Sequence, residues 1–243
     1  MKRNAFIITA THFGPMIVNR FDFVFRSNDK IILGVGGEFL EHNEYMRQQI
    51  DACLELIKTR YDKFGEGVVV LDIGANIGAY TIGLSSRMNE WGCILAIEAQ
   101  ERIFYALAGN IILNNCFNVQ ARWAVASEKS GFMLVPEIDP CSVANFGGLS
   151  LNGSHEEEQY EIIGKTRVPT IAIDDLKLRR LDFMKIDVQG MELDVLKGAK
   201  ETIAKHRPII VVERAFSPDD FCHIVPNYSC RVFDGLDFIM EPI

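Results

Sequence analysis

The chain has 243 residues, 48% hydrophobic and 24% charged, the usage of an ordinary globular chain with room for one α/β domain, which excludes a disordered, collagenous or charge-driven sequence. A formal net charge of −8 with a pI near 5.2 repels phosphate backbones and anionic lipid, so no nucleic acid and no membrane partner is expected. The six cysteines (53, 93, 116, 141, 222, 230) form no C-x-x-C pair and sit mostly in apolar segments, which reads as a reducing, cytoplasmic compartment. Five histidines show no zinc-ligand spacing, and no metal is expected. The basic start is followed by an apolar stretch of residues 5–10 only, with His12 and Pro15 close behind, too short for a signal peptide or a span.

In chain order, residues 1–40 alternate apolar and polar positions between Asn, Asp and Gly, which predicts short antiparallel strands. Over 43–62 the period lengthens. Ile50, Cys53, Leu54, Leu56 and Ile57 share one face, which predicts a helix opening at Asn43. The apolar run 68–73 reads as a strand buried on both faces of a parallel sheet, with a helix following through Arg87. Residues 93–97 give the second such strand, 101–115 a helix and 119–125 the third strand. Between 127 and 168 glycine, serine, proline and the acidic run Glu156, Glu157 and Glu158 break the pattern. This segment is too polar for a core element and predicts a hairpin-rich insertion over one edge. Regularity returns with a strand at 183–187, a helix at 190–205, a strand at 208–213 and a terminal antiparallel hairpin. The alternation predicts an α/β fold with a doubly wound, mostly parallel Rossmann-like sheet. Residues 1–66 form its N-terminal extension of strands and one helix, and 67–243 the main domain carrying the insertion.

The strongest local signal is VLDIGANIGAYT at 70–81. A buried strand ends at Asp72, Gly74 and Gly78 allow a tight turn and close approach of a ligand, and a helix follows whose first amides attract an anionic group. A dinucleotide fingerprint needs G-x-G-x-x-G, but this loop is G-x-x-x-G with an acid at the strand end. That acid repels a pyrophosphate and can accept from an ammonium group. Glu98 closes the second strand, where an acid accepts from ribose hydroxyls. One ligand with an amino acid end and a ribosyl end is S-adenosylmethionine, which predicts a cofactor site of Asp72, Gly74, Ala75, Asn76, Gly78, Tyr80, Glu98 and Ala99. Ala124 and Val125, near the end of the third strand, are placed to meet the adenine through backbone atoms.

These blocks, with AIEA at 96–99, NFGG at 145–148 and above all MKIDVQGMELDVLKGA at 184–199, resemble the FkbM-type methyltransferases of the class I S-adenosylmethionine-dependent fold. The resemblance covers about residues 66–215. It implies methyl transfer to a hydroxyl of a sugar, glycan or secondary metabolite, with Asn145 and Gln189 beside the acceptor. Glutamate is frequent in the family at the position of Gln189, so a mechanism needing three carboxylates around this loop is weakened.

Asp187 at a strand end, Glu192 early in the next helix and Glu213 at a later strand end can all face the crevice at the carboxyl edge of the sheet and are the candidate catalytic residues. Asp187 is the first choice for the base. The competing readings are a helix-start charge for Asp187, a solvated helix acid for Glu192 and an ion pair with Arg214 or Arg207 for Glu213. His155, in the acidic loop, is a lesser catalytic candidate. Two rival functions remain: N-methylation of an amino sugar or small amine, and a cofactor-binding partner without transfer activity. A nicotinamide dehydrogenase is disfavoured by the glycine spacing. The acceptor itself and the oligomeric state do not follow from the sequence.

Overall fold

The N-terminal alternation folds into two antiparallel hairpins, β1 (Phe6–Thr11) with β2 (Gly14–Asn19) and β3 (Phe23–Phe25) with β4 (Ile31–Leu33). The computed structural model describes residues 4–25, 31–151, 160–213, 218–233 and 237–243; His155, the acidic run at 156–158 and Arg214 lie outside them. Strand character stops short of residue 40. Val35–His42 is a helix, α1, and Asn43 is its left-handed C-cap (φ 59°), not the start of the next helix. Glycine hides the helical period here. A Cβ on Gly36 or Gly37 would lie 2.6 Å from the carbonyl oxygen of Asn19 or Asp22, so close packing on the preceding turn selects these residues. Helix α2 (Arg47–Phe64) follows and buries Ile50, Cys53, Leu54 and Ile57, the face its periodicity marks.

The main domain begins with β5 (Val68–Ile73), α3 (Ala79–Met88), β6 (Gly92–Glu98), α4 (Glu101–Leu113) and β7 (Val119–Trp123). The expected third strand is cut at Ala124. Val125–Ala126 (β8) leaves the main sheet to pair with the insertion hairpin, β9 (Gly131–Ile138) and β10 (Ile162–Ile171). The insertion is less polar in effect than its composition. Val135, Ile138 and Val168 are buried because a hairpin needs only every second residue to be apolar to supply a packed face, and Ala144, Phe146 and Leu149 of the connection between its strands are buried as well.

Next come β11 (Phe183–Ile186), α5 (Glu192–Lys197), α6 (Lys200–His206), β12 (Ile209–Glu213), α7 (Pro218–Ile224), β13 (Tyr228–Val232) and β14 (Asp237–Pro242). The single helix expected over 190–205 is two helices. A Cβ on Gly198 would sit 2.2 Å from the carbonyl oxygen of Ser127, so the chain breaks where the helix presses on the strand that carries the insertion.

The seven-stranded sheet has the order β13-β14-β12-β11-β5-β6-β7, with β14 antiparallel to both neighbours and the five strands from β12 to β7 parallel. This is the mostly parallel, doubly wound sheet with a terminal hairpin that the strand–helix alternation requires. Period-two alternation divides each central strand between two cores. Val68, Val70, Phe183, Ile209 and Val211 pack with Ile50, Ile57, Leu84 and Met88 of α2 and α3. Leu71, Ile73, Met184, Ile186, Ile210 and Val212 pack with Val195, Leu196, Ile203 and Phe221 on the opposite face. The N-terminal segment shares a third core with α3 and α4, where Met16, Val18 and Phe39 meet Ile82, Ile103 and Leu107. The order of strand addition reverses between β5 and β11: β6 and β7 are added on one side of β5, β11 and β12 on the other. In open α/β sheets a ligand crevice forms at such a switch point, outside the carboxyl ends of the strands.

Candidate active site

A cavity of about 280 Å³ opens at that switch point. Its walls come from the ends of β5, β6 and β11, the loop 74–76, residues 124–126, and two segments of remote origin, Leu33 to Val35 with Tyr45 and Met46, and Asn145 with Gly147, Gly148, Leu149 and Leu151. Of the expected cofactor residues, Asp72, Gly74, Ala75, Asn76, Tyr80, Glu98, Ala99, Ala124 and Val125 line it. Gly78 does not. A Cβ there would lie 2.8 Å from Leu107 Cδ1, so this glycine lets α3 pack on α4. Gly74 lies at the wall, but its missing side chain makes room for the protein, since a Cβ would fall 1.8 Å from the carbonyl oxygen of Asp187. Both glycines have positive φ, +79° and +97°. The close approach they permit is between strands and helices, not toward a ligand.

Asp72 is 1% exposed. Thr81 Oγ1 donates to its Oδ2 at 2.6 Å, while Oδ1 is buried without a hydrogen-bond partner. Burial raises its pKa, opposed mainly by the Lys185 ammonium, whose Cα is the Asp72 partner in the β5–β11 register. At the end of β6, Glu98 accepts from the Asn76 amide on Oε2 (2.9 Å) and the Gln100 amide on Oε1 (2.8 Å). Each oxygen keeps a lone pair for a further donor. Burial pushes Glu98 up to about 7 against these backbone bonds.

Glu98 therefore makes the stability of the protein fall as pH rises. Its folded pKa, about 7, lies above the ordinary 4.5, so between those values the native state holds a proton that the unfolded chain has released. Stability is lost through this window by an amount on the order of 3 kcal/mol. Asp22, raised to about 6 by burial, and Glu213, raised to about 8, carry the same sign. Glu98→Gln removes one titration and turns one NH₂ proton toward a backbone donor, at about 1–3 kcal/mol. Urea unfolding should show the variant less stable than the parent at pH 5 and close to it at pH 8. An unchanged slope between these values would contradict a buried, proton-holding Glu98.

At the other end of the cavity, Asp187 lies one residue beyond β11. Lys185 Nζ donates to its Oδ2 at 3.0 Å, and Gln189 Nε2 donates both to its Oδ1 and to Glu213 Oε2, each at 2.8 Å. Burial alone would raise Asp187, but the Lys185 ammonium and the hydrogen bonds from Gln189 and Lys185 hold it below the ordinary carboxylate range. Glu213 moves the other way, up to about 8, through burial and then the charges of Asp187 and Glu192. The ion pair weighed for Glu213 with Arg207 is not formed. Arg207 donates instead to the carbonyl oxygens of Asn227 and Ile243.

Glu192 is fully buried and does not line the cavity. Its carboxylate accepts from the amides of Val188 and Gly190 and so braces the loop that presents Gln189, whose backbone is left-handed (φ 49°). Neither a solvated helix acid nor a group facing a substrate describes it.

Lys185 is the wall residue whose role the sequence reading missed, although it stands inside the 184–199 block. Among the described residues it is the one cation lining the cavity, against the carboxylates of Asp72, Glu98, Asp187, Glu213 and Asp237. Its Nζ stands 4.6 Å over the Tyr80 ring. Burial would lower its pKa, but Asp187 and Asp72 keep it well above the ordinary value. A lysine inside an otherwise apolar buried strand is the signal, because such a charge persists only beside a partner. Tyr45 and Met46 carry no comparable mark in the sequence.

One buried carboxylate joins the two remote wall segments. Asp22, 3% exposed, accepts from the amides of Gly36 (2.7 Å) and Phe146 (3.0 Å), and its backbone oxygen accepts from Gly34. Asn19 Nδ2 adds a bond to Pro140 O, and Gln100 Nε2 reaches Phe146 O at 2.6 Å.

Sheet order, helices on both faces and an acid ending each of the first two parallel strands define a class I methyltransferase fold. The chain belongs to the FkbM methyltransferase domain family, whose model matches residues 72–239. It is 27% identical to Methyltransferase 1 of Beauveria bassiana over 71% of this chain and 72% of that protein. It is 23% identical to the hexuronic acid methyltransferase AglP of Haloferax volcanii over 68% of this chain and 64% of AglP. Among solved structures, the FkbM methyltransferase of Methylobacillus flagellatus KT superposes with a TM-score of 0.50 at 19% identity, over 72% of this chain and 44% of that one. The chain thus spans less than two thirds of that structure and of AglP. No described helix is long and apolar enough to cross a membrane.

Proposed function

We propose that this protein is an S-adenosylmethionine-dependent O-methyltransferase whose acceptor is a hydroxyl of a sugar, glycan or secondary metabolite. The observation that carries the cofactor assignment is the unpartnered, buried Oδ1 of Asp72 in the cavity wall, opposite the two half-used oxygens of Glu98. A buried acceptor without a donor is costly unless a ligand supplies one. An ammonium group meets Asp72 and a vicinal diol meets Glu98, which are the two ends of S-adenosylmethionine. Ala99, Ala124 and Val125 offer the small, apolar flank an adenine needs. Asp72, Glu98, Ala99, Ala124 and Val125 would hold the cofactor, which would supply a methyl group activated for transfer by its attachment to a sulfonium.

The chain's own residues hold the acceptor in line and remove its proton. Asp187 and Glu213 stand at the end of the cavity remote from Glu98, with Gln189 between them, and Asn145 lines the wall that the insertion supplies. Kinship with a hexuronic acid methyltransferase supports a sugar-like acceptor. The excess of carboxylates over Lys185 also favours a second reading, N-methylation of an amino sugar, in which the acids hold an ammonium before it loses its proton. The reducing character of the cysteine pattern supports a cytoplasmic setting.

Calorimetry with S-adenosylmethionine tests the cofactor. Asp72→Ala and Glu98→Ala should each weaken binding by about 1.5–3 kcal/mol, the range for a hydrogen bond to a charged group. Unchanged affinity in a folded Glu98→Ala variant would remove the ribose assignment. A screen with labelled cofactor over sugars, nucleotide sugars, amino sugars and polyols, read by product mass, separates oxygen from nitrogen transfer. Failure to label any hydroxyl while an amine is labelled would overturn the O-methyl reading.

A further inference from the structure

We infer that Asp187 and Glu213 act as one carboxylate–carboxylic acid pair holding a single proton, with Gln189 as the residue that positions it, and that the acceptor's proton is delivered to this pair. The inference rests on the methyl-transfer reading of the same cavity and names the group that takes the proton.

The geometry is carried by one amide. Gln189 Nε2 has two hydrogens, and they go to two different carboxyl groups, Asp187 Oδ1 and Glu213 Oε2, each at 2.8 Å. Two acids bound to one nitrogen cannot both be ionised without strong repulsion. The charges around them decide which one keeps the proton. Lys185 on β11 contacts Asp187 Oδ2 at 3.0 Å, while Gln189 takes the other oxygen, Oδ1. Glu213 faces mainly acids, Asp187 itself, Glu192 from α5 and Asp237, its direct cross-strand partner on β14, and these outweigh the Lys185 ammonium, which acts on it more weakly. Asp72 on β5 and the phenols of Tyr80 and Tyr45 surround Lys185 and Asp187; Arg214, next in the chain, lies outside the described residues. The proton therefore resides on Glu213 and Asp187 stays ionised; the same charges hold Asp187 below the ordinary carboxylate range and push Glu213 up to about 8. A pair of this kind titrates as a unit.

During transfer the acceptor O–H proton passes to the ionised member, the pair goes from one proton to two, and its charge falls from −1 to 0 as the sulfonium charge is lost. Charge is thereby removed from both sides of the new bond. The incoming proton goes to Asp187, because Glu213 already carries the first proton of the pair, and Gln189 and Lys185 hold that ionised carboxylate in place to receive it. Glutamine suits position 189 because an amide can donate to both acids, whereas a third carboxylate could donate to neither while ionised.

The test needs no acceptor. Carboxyl carbons of aspartate and glutamate are labelled with ¹³C in the full chain and titrated by NMR, with Asp187→Asn and Glu213→Gln giving the assignments. Glu213 is expected to titrate with a midpoint near 8, and the Asp187 carbon to show a smaller inflection at the same pH. Asp187→Asn should lower the Glu213 midpoint by roughly one pH unit or more by removing the neighbouring charge. Gln189→Ala should raise it by withdrawing the donor that stabilises the anion, which a merely structural glutamine would not do. An ordinary glutamate midpoint for Glu213, indifferent to both changes, overturns the inference. Absence of S-adenosylmethionine binding to the unaltered chain by calorimetry would instead overturn the methyl-transfer reading on which it rests.

Discussion

Asp187→Asn should lower kcat by roughly 10²- to 10⁴-fold, the span of general-base contributions, with S-adenosylmethionine affinity close to native. The reason is position. Asp187 follows a strand buried between two parallel neighbours, so its carboxylate is held by rigid backbone, by Lys185 and by Gln189. Asparagine preserves shape and can still accept one of those bonds, but it cannot take a proton. Steady-state kinetics with the acceptor returned by the methyl-transfer screen make the comparison. Turnover at the native rate across about pH 6 to 9 would mean that alignment alone drives the reaction and that Asp187 only positions its neighbours. Glu192→Gln should behave differently. Its carboxylate is sealed behind the loop and bonded to backbone amides, so the loss appears in thermal stability more than in turnover.

The largest effect on folding is expected from Gly74→Ala. The left-handed backbone at φ +79° costs an alanine about 1–2 kcal/mol. The added Cβ then overlaps the Asp187 carbonyl, 1.8 Å away, and to relieve it the ends of β5 and β11 must separate. Together these should remove on the order of 4 kcal/mol or more, a rare magnitude for one substitution, and lower Tm by roughly 8–16 °C for a chain of this size. Gly65→Ala is the control. Its φ is +74° but nothing lies within 4 Å of the added carbon, so the conformational part stands alone. Equal losses in the two variants, measured by thermal unfolding, would show that the contact at Gly74 is not a constraint.

Much of this architecture is legible in the chain because it rests on local signals. The apolar run at 68–73 and the acids that end β5 and β6 announce a buried parallel strand and its ligand edge, and α2 declares its face through Ile50, Cys53, Leu54 and Ile57. What escapes is set by contacts between distant segments. Gly36 and Gly37 read as punctuation between short strands and not as helix, because the atoms they avoid belong to Asn19 and Asp22. The break between α5 and α6 is imposed by Ser127, some seventy positions earlier in the chain. In the candidate site, a carboxylate at a strand end is visible as chemistry, but its direction is not. Glu192 and Glu213 look alike in sequence, yet one turns back onto the amides of its own loop and the other shares an amide with Asp187. Lys185 was in plain view, and its partners, Asp187 beyond the strand end and Asp72 across the β5–β11 register, explain why a charge belongs there.

The seam made by Asp22 has a bearing on how such enzymes can be recombined. Leu33 to Val35 and Asn145 to Leu149 belong to separate segments, yet one residue ties both: the Asp22 backbone oxygen accepts from Gly34, and its carboxylate from Gly36 and Phe146. Grafting residues 1–66 from another family member would therefore break the seam unless 139–149 travelled with them. Moved as a matched set, the two pieces form an exchangeable wall that leaves the 72–76 loop and Glu98 untouched. Chimeras cut at these joints would let acceptor choice be transplanted while the donor half of the cavity is inherited whole.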